Sequence, residues 1–261
     1  MRLIIKQTKQ QAGIFAAHEI ASQIRAFRPT SNKPFVLGLP TGSTPLITYA
    51  ELIKMYQNGT LSFKNVITFN MDEYLGISPQ DEQSYHFFMH HYFFKHIDIQ
   101  KQNIHILNGM ATNPEKECEN YEKAIQNAGG IHLFLGGVGE DGHIAFNEPH
   151  TPFLSRTHVQ QLDKDTIRVN ARFFNNDISK VPTKALTVGI QTITDADQVI
   201  ILAFGPKKAE AVRAALEDDI SENCPLSVLR MHRNATLICD ADATKKLSSQ
   251  TKALFSKIEN S

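Results

Sequence analysis

The stretch FVLGLPTGSTPLITYAELIKMYQ, residues 35–57, decides the predicted fold of this chain. It starts with an apolar run at 35–39, passes through a turn of small residues, and continues as an amphipathic helical pattern over 45–57. A short apolar strand that leads directly into a helix is the repeating unit of proteins built on a parallel sheet. The segment therefore predicts an α/β fold.

The same alternation of strand and helix continues along the chain. Further strands are predicted at 66–70, 104–107, 131–136, 185–189, 199–204 and 235–239, and helices at 10–27, 84–96, 114–127, 207–217 and 241–258. No linker or repeat interrupts the series, so we expect one domain, 1–261, with a Rossmann-like, open, mostly parallel sheet and helices on both faces. One irregular segment, at about 148–183, is longer than an ordinary connection and is expected to act as a lid.

Composition excludes several classes of partner. The 27 basic and 27 acidic residues cancel, so no overall field attracts nucleic acid or an anionic membrane. No uncharged run is long enough to span a bilayer, and the first residues lack a secretory signal pattern. Three scattered cysteines, Cys118, Cys224 and Cys239, form neither a disulfide framework nor a C-x-x-C pair. We expect a cytoplasmic protein with reduced thiols and no nucleic-acid or membrane partner.

The turn between the first predicted strand–helix pair is a candidate phosphate site. Thr41, Gly42, Ser43 and Thr44 occupy it. Backbone N–H groups at a helix N-terminus, together with the hydroxyls, suit a phosphate. The Walker lysine is missing, so a nucleotide triphosphate is not expected. An ordinary helix cap with proline in the first turn stays open as an equal alternative.

The segment NMDEYLG, residues 70–76, follows the next predicted strand directly. Two adjacent acids, Asp72 and Glu73, stand at the carboxyl end of that strand, where α/β enzymes place catalytic carboxylates. Acidic residues are common in loops, so a catalytic role for Asp72 and an ordinary solvated acid remain alternatives.

The segment GGVGEDGHIAFNEP, residues 136–149, contains the spacing G-x-G-x-x-G at Gly137, Gly139 and Gly142. That spacing is typical of a dinucleotide turn, which presents backbone N–H groups to a pyrophosphate. Two carboxylates, at 140 and 141, fall inside the turn and would repel the pyrophosphate. Pro149 also argues against a long helix after the turn. A nicotinamide site is therefore not expected.

The same segment brings Asp141, His143 and Glu148 within eight residues. A carboxylate that orients a histidine, with a second acid nearby, is a recognisable arrangement for general acid–base catalysis. A purely structural histidine is the alternative.

Two cations could close on a phosphate in the 41–44 turn: Arg172 in the long irregular segment and Lys208 near the start of a predicted helix. Exposed, solvated side chains are the alternative for both.

His86 and His90 are one helical turn apart, but Phe87 replaces the glutamate of the metalloprotease pattern and no third ligand is evident. We predict no metal site.

Several motifs together resemble one family. They are LPTGSTP at 39–45, FNMDEYLG at 69–76, SYHFFM at 84–89, GGVGEDGHIAFNEP at 136–149, SRT at 155–157 and FGPKKA at 204–209. In this order, over nearly the whole chain, they resemble the glucosamine-6-phosphate deaminase family. The resemblance implies conversion of D-glucosamine 6-phosphate and water to D-fructose 6-phosphate and ammonia, with no metal or organic cofactor.

The resemblance also implies a role for each candidate residue. His143 would open the sugar ring, with Asp141 and Glu148 holding and polarising it. Asp72 would move the proton from C2 to C1. The remaining residues would bind substrate, and they are Thr41, Gly42, Ser43, Thr44, Gly137, Arg172 and Lys208.

Departures from the family bear on regulation. Members activated by N-acetylglucosamine 6-phosphate carry basic residues where this chain has His158 and Gln160, and small polar residues near 151 and 152, where it has Thr151 and Pro152. Neutral groups bind a second phosphate poorly, so we expect weak or absent activation. That activation normally requires a ring of six subunits, so the ring is also in doubt. A homo-oligomer remains an alternative. A further departure, Arg230 in place of glutamine, has no consequence that the sequence reveals.

Two alternatives to the deaminase remain. One is a 6-phosphogluconolactonase-like hydrolase on the same fold, whose chemistry needs no base at C2. The other is a non-catalytic sugar-phosphate sensor, a class that carries an N-terminal DNA-binding helix-turn-helix. This chain reaches a predicted sheet strand by about residue 35 and shows no basic recognition helix. The deaminase is therefore the favoured prediction.

Overall fold

The computed structural model describes residues 1–171 and 174–259. Within these ranges the strands are β1 (Arg2–Lys6), β2 (Phe35–Leu39), β3 (Val66–Asn70), β4 (Asp72–Tyr74), β5 (Ile104–His105), β6 (Leu133–Gly137), β7 (His158–Gln161), β8 (Lys184–Thr187), β9 (Gln198–Ala203) and β10 (Ala235–Asp240). The α-helices are α1 (Lys9–Phe27), α2 (Leu46–Gln57), α3 (Tyr85–Tyr92), α4 (Pro114–Asn127), α5 (Lys164–Asn170), α6 (Ile190–Thr194), α7 (Ala209–Glu217) and α8 (Ser249–Glu259).

Seven of the strands form one parallel sheet in the order β1-β10-β9-β6-β2-β3-β5. Alternate residues of a strand point to opposite faces, and in β2 Val36 joins one apolar cluster while Phe35 and Leu37 join another. Helices α1, α2 and α3 cover one face, and α4, α6 and α7 cover the other. Burial on both faces explains the continuous apolar runs of these strands. The predicted open parallel sheet with helices on both faces is confirmed.

A second sheet of three short strands, in the order β4-β8-β7, is antiparallel. The strand predicted at 185–189 belongs here as β8, so its implied place in the parallel sheet was wrong. The sequence could not separate the two sheets, because the run ALTV at 185–188 is fully buried and resembles a strand of the parallel sheet. Its neighbours DEY (β4) and HVQQ (β7) are short and polar and were not predicted as strands. The first strand, β1, was also missed.

Two predicted helices are shorter than expected. The helix predicted at 84–96 stops at Tyr92, because Phe93 leaves the helical region with φ −138° and ψ −65°, and a 3-10 turn follows at Phe94–His96. The helix predicted at 241–258 begins only at Ser249, after a 3-10 turn at Asp242–Thr244.

The segment predicted as an irregular lid, 148–183, contains β7, α5 and a 3-10 turn at Ile178–Lys180. Its described apolar side chains form a third cluster, separate from the two cores of the parallel sheet. The members of this cluster are Tyr74, Ile77, Phe146, Leu162, Ala171, Phe174, Val181 and Ala185. The segment is therefore more ordered than the sequence suggested, and it packs on β4 and on the loop after β6.

Candidate active site

Four neighbouring strands of the parallel sheet, β9, β6, β2 and β3, end at one edge, which we call the carboxyl edge. The 41–44 turn follows β2, and Asp72 lies two residues after the end of β3. The 138–148 loop follows β6, and Lys208 follows β9. Because parallel strands end on the same side, the topology brings these predicted site residues to one edge. Arg172 lies outside the described residues.

Asp72 is held between the two sheets. The preceding residue, Met71, donates its N–H to the carbonyl of Leu39 at 3.1 Å and accepts from the N–H of Val188 at 2.8 Å. Asp72 itself pairs in register with Thr187 of β8. Its side chain is 6% exposed, and within the described residues its Oδ1 has no hydrogen-bond partner. Burial, and then the charge of Glu73, raise the pKa of Asp72 well above its usual range.

Two buried tyrosines that feel the charge of Asp72 bind the backbone at the ends of β2 and β3. The hydroxyl of Tyr49 donates to the carbonyl of Pro40 at 2.5 Å, just before the 41–44 turn. The hydroxyl of Tyr121 donates to the carbonyl of Asn70 at 2.7 Å. Burial first and the Asp72 charge second raise the pKa of both phenols well above the ordinary value, so both stay neutral donors. The sequence analysis missed these residues because nothing in their local sequence distinguishes them from core tyrosines.

The glycines of the loop after β6 make room for other groups. A Cβ on Gly139 would lie 2.2 Å from Cε1 and 2.3 Å from Nδ1 of His143, so the imidazole packs directly on this glycine. Gly142 has φ +92°, the left-handed region that favours glycine, and its Cα faces Cys224. The backbone N–H of Gly139 also donates to the carbonyl of His143 at 2.9 Å. These glycines shape a tight turn that presents the imidazole.

Asp141, His143 and Glu148 converge at this turn. Nδ1 of His143 lies 2.7 Å from Oδ1 of Asp141 and 3.7 Å from Oε2 of Glu148. Thr166 of α5 donates its hydroxyl to Oε1 of Glu148 at 2.6 Å, which joins the predicted lid to this group. Burial works against ionisation of Asp141, but the adjacent His143 outweighs it and lowers the pKa of Asp141 to about 2. Burial raises the pKa of Glu148.

The donor atoms of Asp141, His143 and Glu148 lie within 4.8 Å of one another, which is close enough to hold a metal ion. In the part of the chain that the structure describes, this is the one group of three or more such residues. The same arrangement suits proton transfer, because the imidazole contacts one carboxylate that stays ionised and one that holds its proton more tightly. His86 and His90 have ring centroids 4.6 Å apart on α3 but belong to no such group.

The expected phosphate-binding elements follow three neighbouring strands of the parallel sheet, β2, β6 and β9. Gly42 has φ +89°, and α2 begins at Leu46 after Pro45, which supplies no side-chain cap to the first N–H groups. Lys208 is half-buried at the end of the 3-10 turn Pro206–Lys208. Gly137 is the last residue of β6, and a Cβ there would meet nothing within 4 Å.

The residues expected to bear on regulation bind one another or the backbone. Nε2 of His158 lies 3.1 Å from Oε1 of Gln160, and its Nδ1 lies 2.8 Å from the carbonyl oxygen of Arg156. Arg230, whose consequence the sequence did not reveal, donates through Nη1 to the carbonyl of Asp218 beyond the end of α7. Cations favour helix C-termini, so Arg230 has a structural role there.

Among the described residues, no helix combines the length and the apolar character that crossing a membrane would require.

The chain belongs to the family described as glucosamine-6-phosphate isomerases/6-phosphogluconolactonase, whose model matches residues 7–238. It is 52% identical over 259 residues to a glucosamine-6-phosphate deaminase of Glaesserella parasuis, covering 99% of this chain and 98% of the relative. It is 54% identical to a glucosamine-6-phosphate deaminase of Treponema denticola, covering 99% and 96%.

One solved structure gives the same family, and a second shares the fold. A monomeric glucosamine-6-phosphate deaminase superposes with a TM-score of 0.89 at 44% identity, covering 93% of this chain and 98% of that one. A 6-phosphogluconolactonase of Trypanosoma cruzi superposes with a TM-score of 0.76 at 20% identity, covering 95% and 97%. At that identity the second likeness concerns the fold alone.

Proposed function

We propose that this protein converts D-glucosamine 6-phosphate and water to D-fructose 6-phosphate and ammonia, an isomerisation coupled to deamination. The full-length similarity to deaminases, at more than half of all positions, carries this proposal. The carboxyl edge supports it, because a phosphate turn, a buried carboxylate and an acid-flanked histidine follow neighbouring strands. The same similarity favours the deaminase over the lactonase-like hydrolase and the sensor.

The phosphate fixes the unreactive end of the substrate. Backbone N–H groups of the 41–44 turn and the hydroxyls of Thr41, Ser43 and Thr44 receive it, and Lys208 with Arg172 supplies positive charge. Gly137 leaves open space beside the sugar because it carries no side chain. Binding energy spent at the phosphate positions C1 and C2 for reaction and lowers the barrier.

His143 opens the ring by moving a proton between the ring oxygen and the anomeric hydroxyl. Asp141, ionised at any working pH because its pKa is about 2, keeps the imidazole oriented. Glu148, whose Oε2 lies 3.7 Å from the same nitrogen, polarises it. The 148–183 segment serves as a lid over the substrate in this proposal, and the hydrogen bond from Thr166 to Glu148 supports it by connecting that segment to the proton-transfer group.

Asp72 then removes the proton at C2 of the open-chain aldehyde, which gives an enediol-type intermediate that still carries the amine, and returns a proton to C1, which leaves an imine at C2. Water adds to C2 of this imine and the amine leaves as ammonia, so that C2 becomes the ketone of D-fructose 6-phosphate. A base for this step must accept a proton from carbon and give it back. Burial supports such a role by making protonation of Asp72 more favourable than for a solvated aspartate.

We further propose that N-acetylglucosamine 6-phosphate activates the enzyme weakly or not at all. The side chains of His158 and Gln160 bind each other, and neither brings a permanent positive charge for a second phosphate. Reaction velocity measured against substrate concentration should stay the same as N-acetylglucosamine 6-phosphate is added, and clear activation would contradict the proposal.

We also propose that the enzyme is cytoplasmic, in keeping with three cysteines that form no disulfide.

The assay for the proposed function measures two products together. Purified protein is incubated with glucosamine 6-phosphate, and ammonia and fructose 6-phosphate are quantified over time. The expected result is equal amounts of both, with no hydrolysis of 6-phosphogluconolactone in a parallel reaction. Absence of both products at saturating substrate would refute the deaminase, and hydrolysis of the lactone would favour the hydrolase.

A further inference from the structure

Glu73, the residue after Asp72, is a buried acid to which the proposed reaction assigns no step. It is 2% exposed. Its Oε1 accepts the backbone N–H of Tyr74 and of Tyr85, each at 2.9 Å, and its Oε2 accepts the backbone N–H of His86, also at 2.9 Å. One carboxylate therefore joins β4 to the first turn of α3.

The packing around Glu73 leaves little room for movement. A Cβ on Gly109 would lie 2.2 Å from the carbonyl oxygen of Tyr74 and 3.3 Å from Cγ of Glu73. The carbonyl of Gly109 also accepts the N–H of Gly76 at 2.7 Å. The loop at 109 thus closes over the segment that carries Asp72 and Glu73, and only a residue without a side chain fits there.

The charges around the two neighbouring acids are mostly fixed. The pKa of Glu73 is raised to about 7. Burial is the largest cause, the three backbone N–H groups oppose it, and the charge of Asp81 adds a smaller upward effect. Among the described residues, the other titratable groups whose pKa responds to the charge of Asp72 are phenols: Tyr74 of β4, Tyr85 of α3, Tyr49 of α2 and Tyr121 of α4. Burial raises the pKa of each phenol, so these groups stay neutral as the two acids titrate.

We infer that Glu73 is a positioning residue for the proposed reaction: it fixes β4 against α3 and places a second negative charge beside Asp72. This inference rests on the proposed role of Asp72 as the base at C2. Two adjacent buried carboxylates do not ionise independently, because the charge of one disfavours the charge of the other. Glu73 therefore sets the pH at which Asp72 becomes a base, in addition to holding its strand in place.

The matched variants are Glu73→Gln and Ser84→Ala. Each variant loses an acceptor for an N–H group in the first turn of α3: Glu73→Gln replaces one of two carboxylate oxygens with an NH2 group, and Ser84→Ala removes the hydroxyl that accepts from Phe87 at 3.0 Å. Only Glu73→Gln also removes a charge. Asp72 must be ionised to accept a proton, so kcat/KM rises with pH as Asp72 ionises. Without the neighbouring charge this acidic limb should move to lower pH, by about one unit. In Ser84→Ala it should stay at the wild-type pH even if the rate falls.

A third variant separates position from charge. Glu73→Asp keeps the negative charge but shortens the side chain, so it cannot reach all three N–H groups. Its acidic limb should stay near the wild-type pH while kcat falls. An unshifted limb in Glu73→Gln, or equal limbs in Glu73→Gln and Ser84→Ala, would show that Glu73 is merely structural. Ionisations of the substrate are common to all the proteins and cancel in the comparison.

A substrate-free measurement keeps the inference testable if no ammonia is formed. The folded-state pKa of Glu73, about 7, exceeds its ordinary value of 4.5, so its contribution to stability is complete below pH 4.5 and is lost as the pH rises to 7. The Tm of wild type minus that of Glu73→Gln should therefore fall across this window. A constant Tm difference would overturn the ionisation of Glu73 whether or not the protein is a deaminase.

Discussion

Two groups of acids lie at the same edge of the sheet, and their environments have opposite effects. Asp72, after β3, is 6% exposed, and its Oδ1 has no hydrogen-bond partner among the described residues. The side chain of Asp141, after β6, is 43% exposed and lies 2.7 Å from Nδ1 of His143. The pKa of Asp72 is raised well above the usual range by burial, whereas that of Asp141 is lowered to about 2 by the neighbouring imidazole.

The difference shows that neighbours, rather than residue type, decide what a carboxylate can do. Asp141 stays ionised across the physiological range, so it can orient a histidine but cannot carry protons in a reaction. Burial and the charge of Glu73 disfavour the ionised form of Asp72, so it holds a proton more readily. The strand ends thus supply one permanent anion and one acid–base group, and the predictions below test this division of roles.

The largest effect is expected from Asp72→Asn, which keeps the shape of the side chain and removes its basicity. Turnover should fall by on the order of 10³-fold, the range that general-base catalysis contributes. Substrate affinity should change little, because the phosphate is bound by other residues. Steady-state rates of ammonia release and calorimetric binding of substrate measure the two quantities.

The control for that change is Asp219→Asn, at an exposed position after α7, which should retain wild-type kinetics. A rate for Asp72→Asn within a few-fold of wild type would show that another group removes the C2 proton. The opposite pKa shifts of Asp72 and Asp141 would then result from their packing and have no part in the reaction.

The next effect is expected from His143→Gln, which removes the acid–base group that Asp141 orients. Turnover should fall by about 10²-fold, because ring opening then proceeds without a proton carrier. Ring opening should become rate-limiting, so the kinetic isotope effect with substrate deuterated at C2 should shrink towards one. An isotope effect that grows instead would place His143 at the C2 step, and the two strand ends would no longer divide the chemistry.

Much of this arrangement could be predicted from the sequence. The strand 35–39 and the turn after it gave the α/β fold, because burial on both faces requires continuous apolar runs, and that prediction is confirmed. The resemblance to the deaminase family is confirmed by full-length relatives. Asp141, His143 and Glu148 could be found because they are close in sequence, and a tight turn keeps them close in space.

Other features depend on contacts distant in sequence. Glu73 accepts hydrogen bonds from backbone N–H groups 12 and 13 residues later in the chain, and Glu148 accepts one from the hydroxyl of Thr166, 18 residues later. No local sequence pattern reveals these bonds. The polar strands β4 and β7 each pair with β8, which lies between them, and not with each other. Their own composition shows no strand periodicity. The direction of each pKa shift likewise depends on burial, which a sequence does not display.

The smallest effect is expected from Gly139→Ala, which tests whether the position of His143 matters as well as its chemistry. The added methyl carbon would lie 2.2 to 2.5 Å from ring atoms of His143, so the imidazole must shift from its place beside Gly139. A displacement of about 1 Å should lower kcat roughly tenfold or more while the folded protein remains. The matched control is Gly136→Ala, whose methyl would meet the flexible end of Ile201 within the sheet and should lower Tm more than kcat. Equal kcat values for Gly139→Ala and wild type would mean that the contact between His143 and Asp141 does not set the rate. Of the two acids compared above, only the buried Asp72 would then be critical.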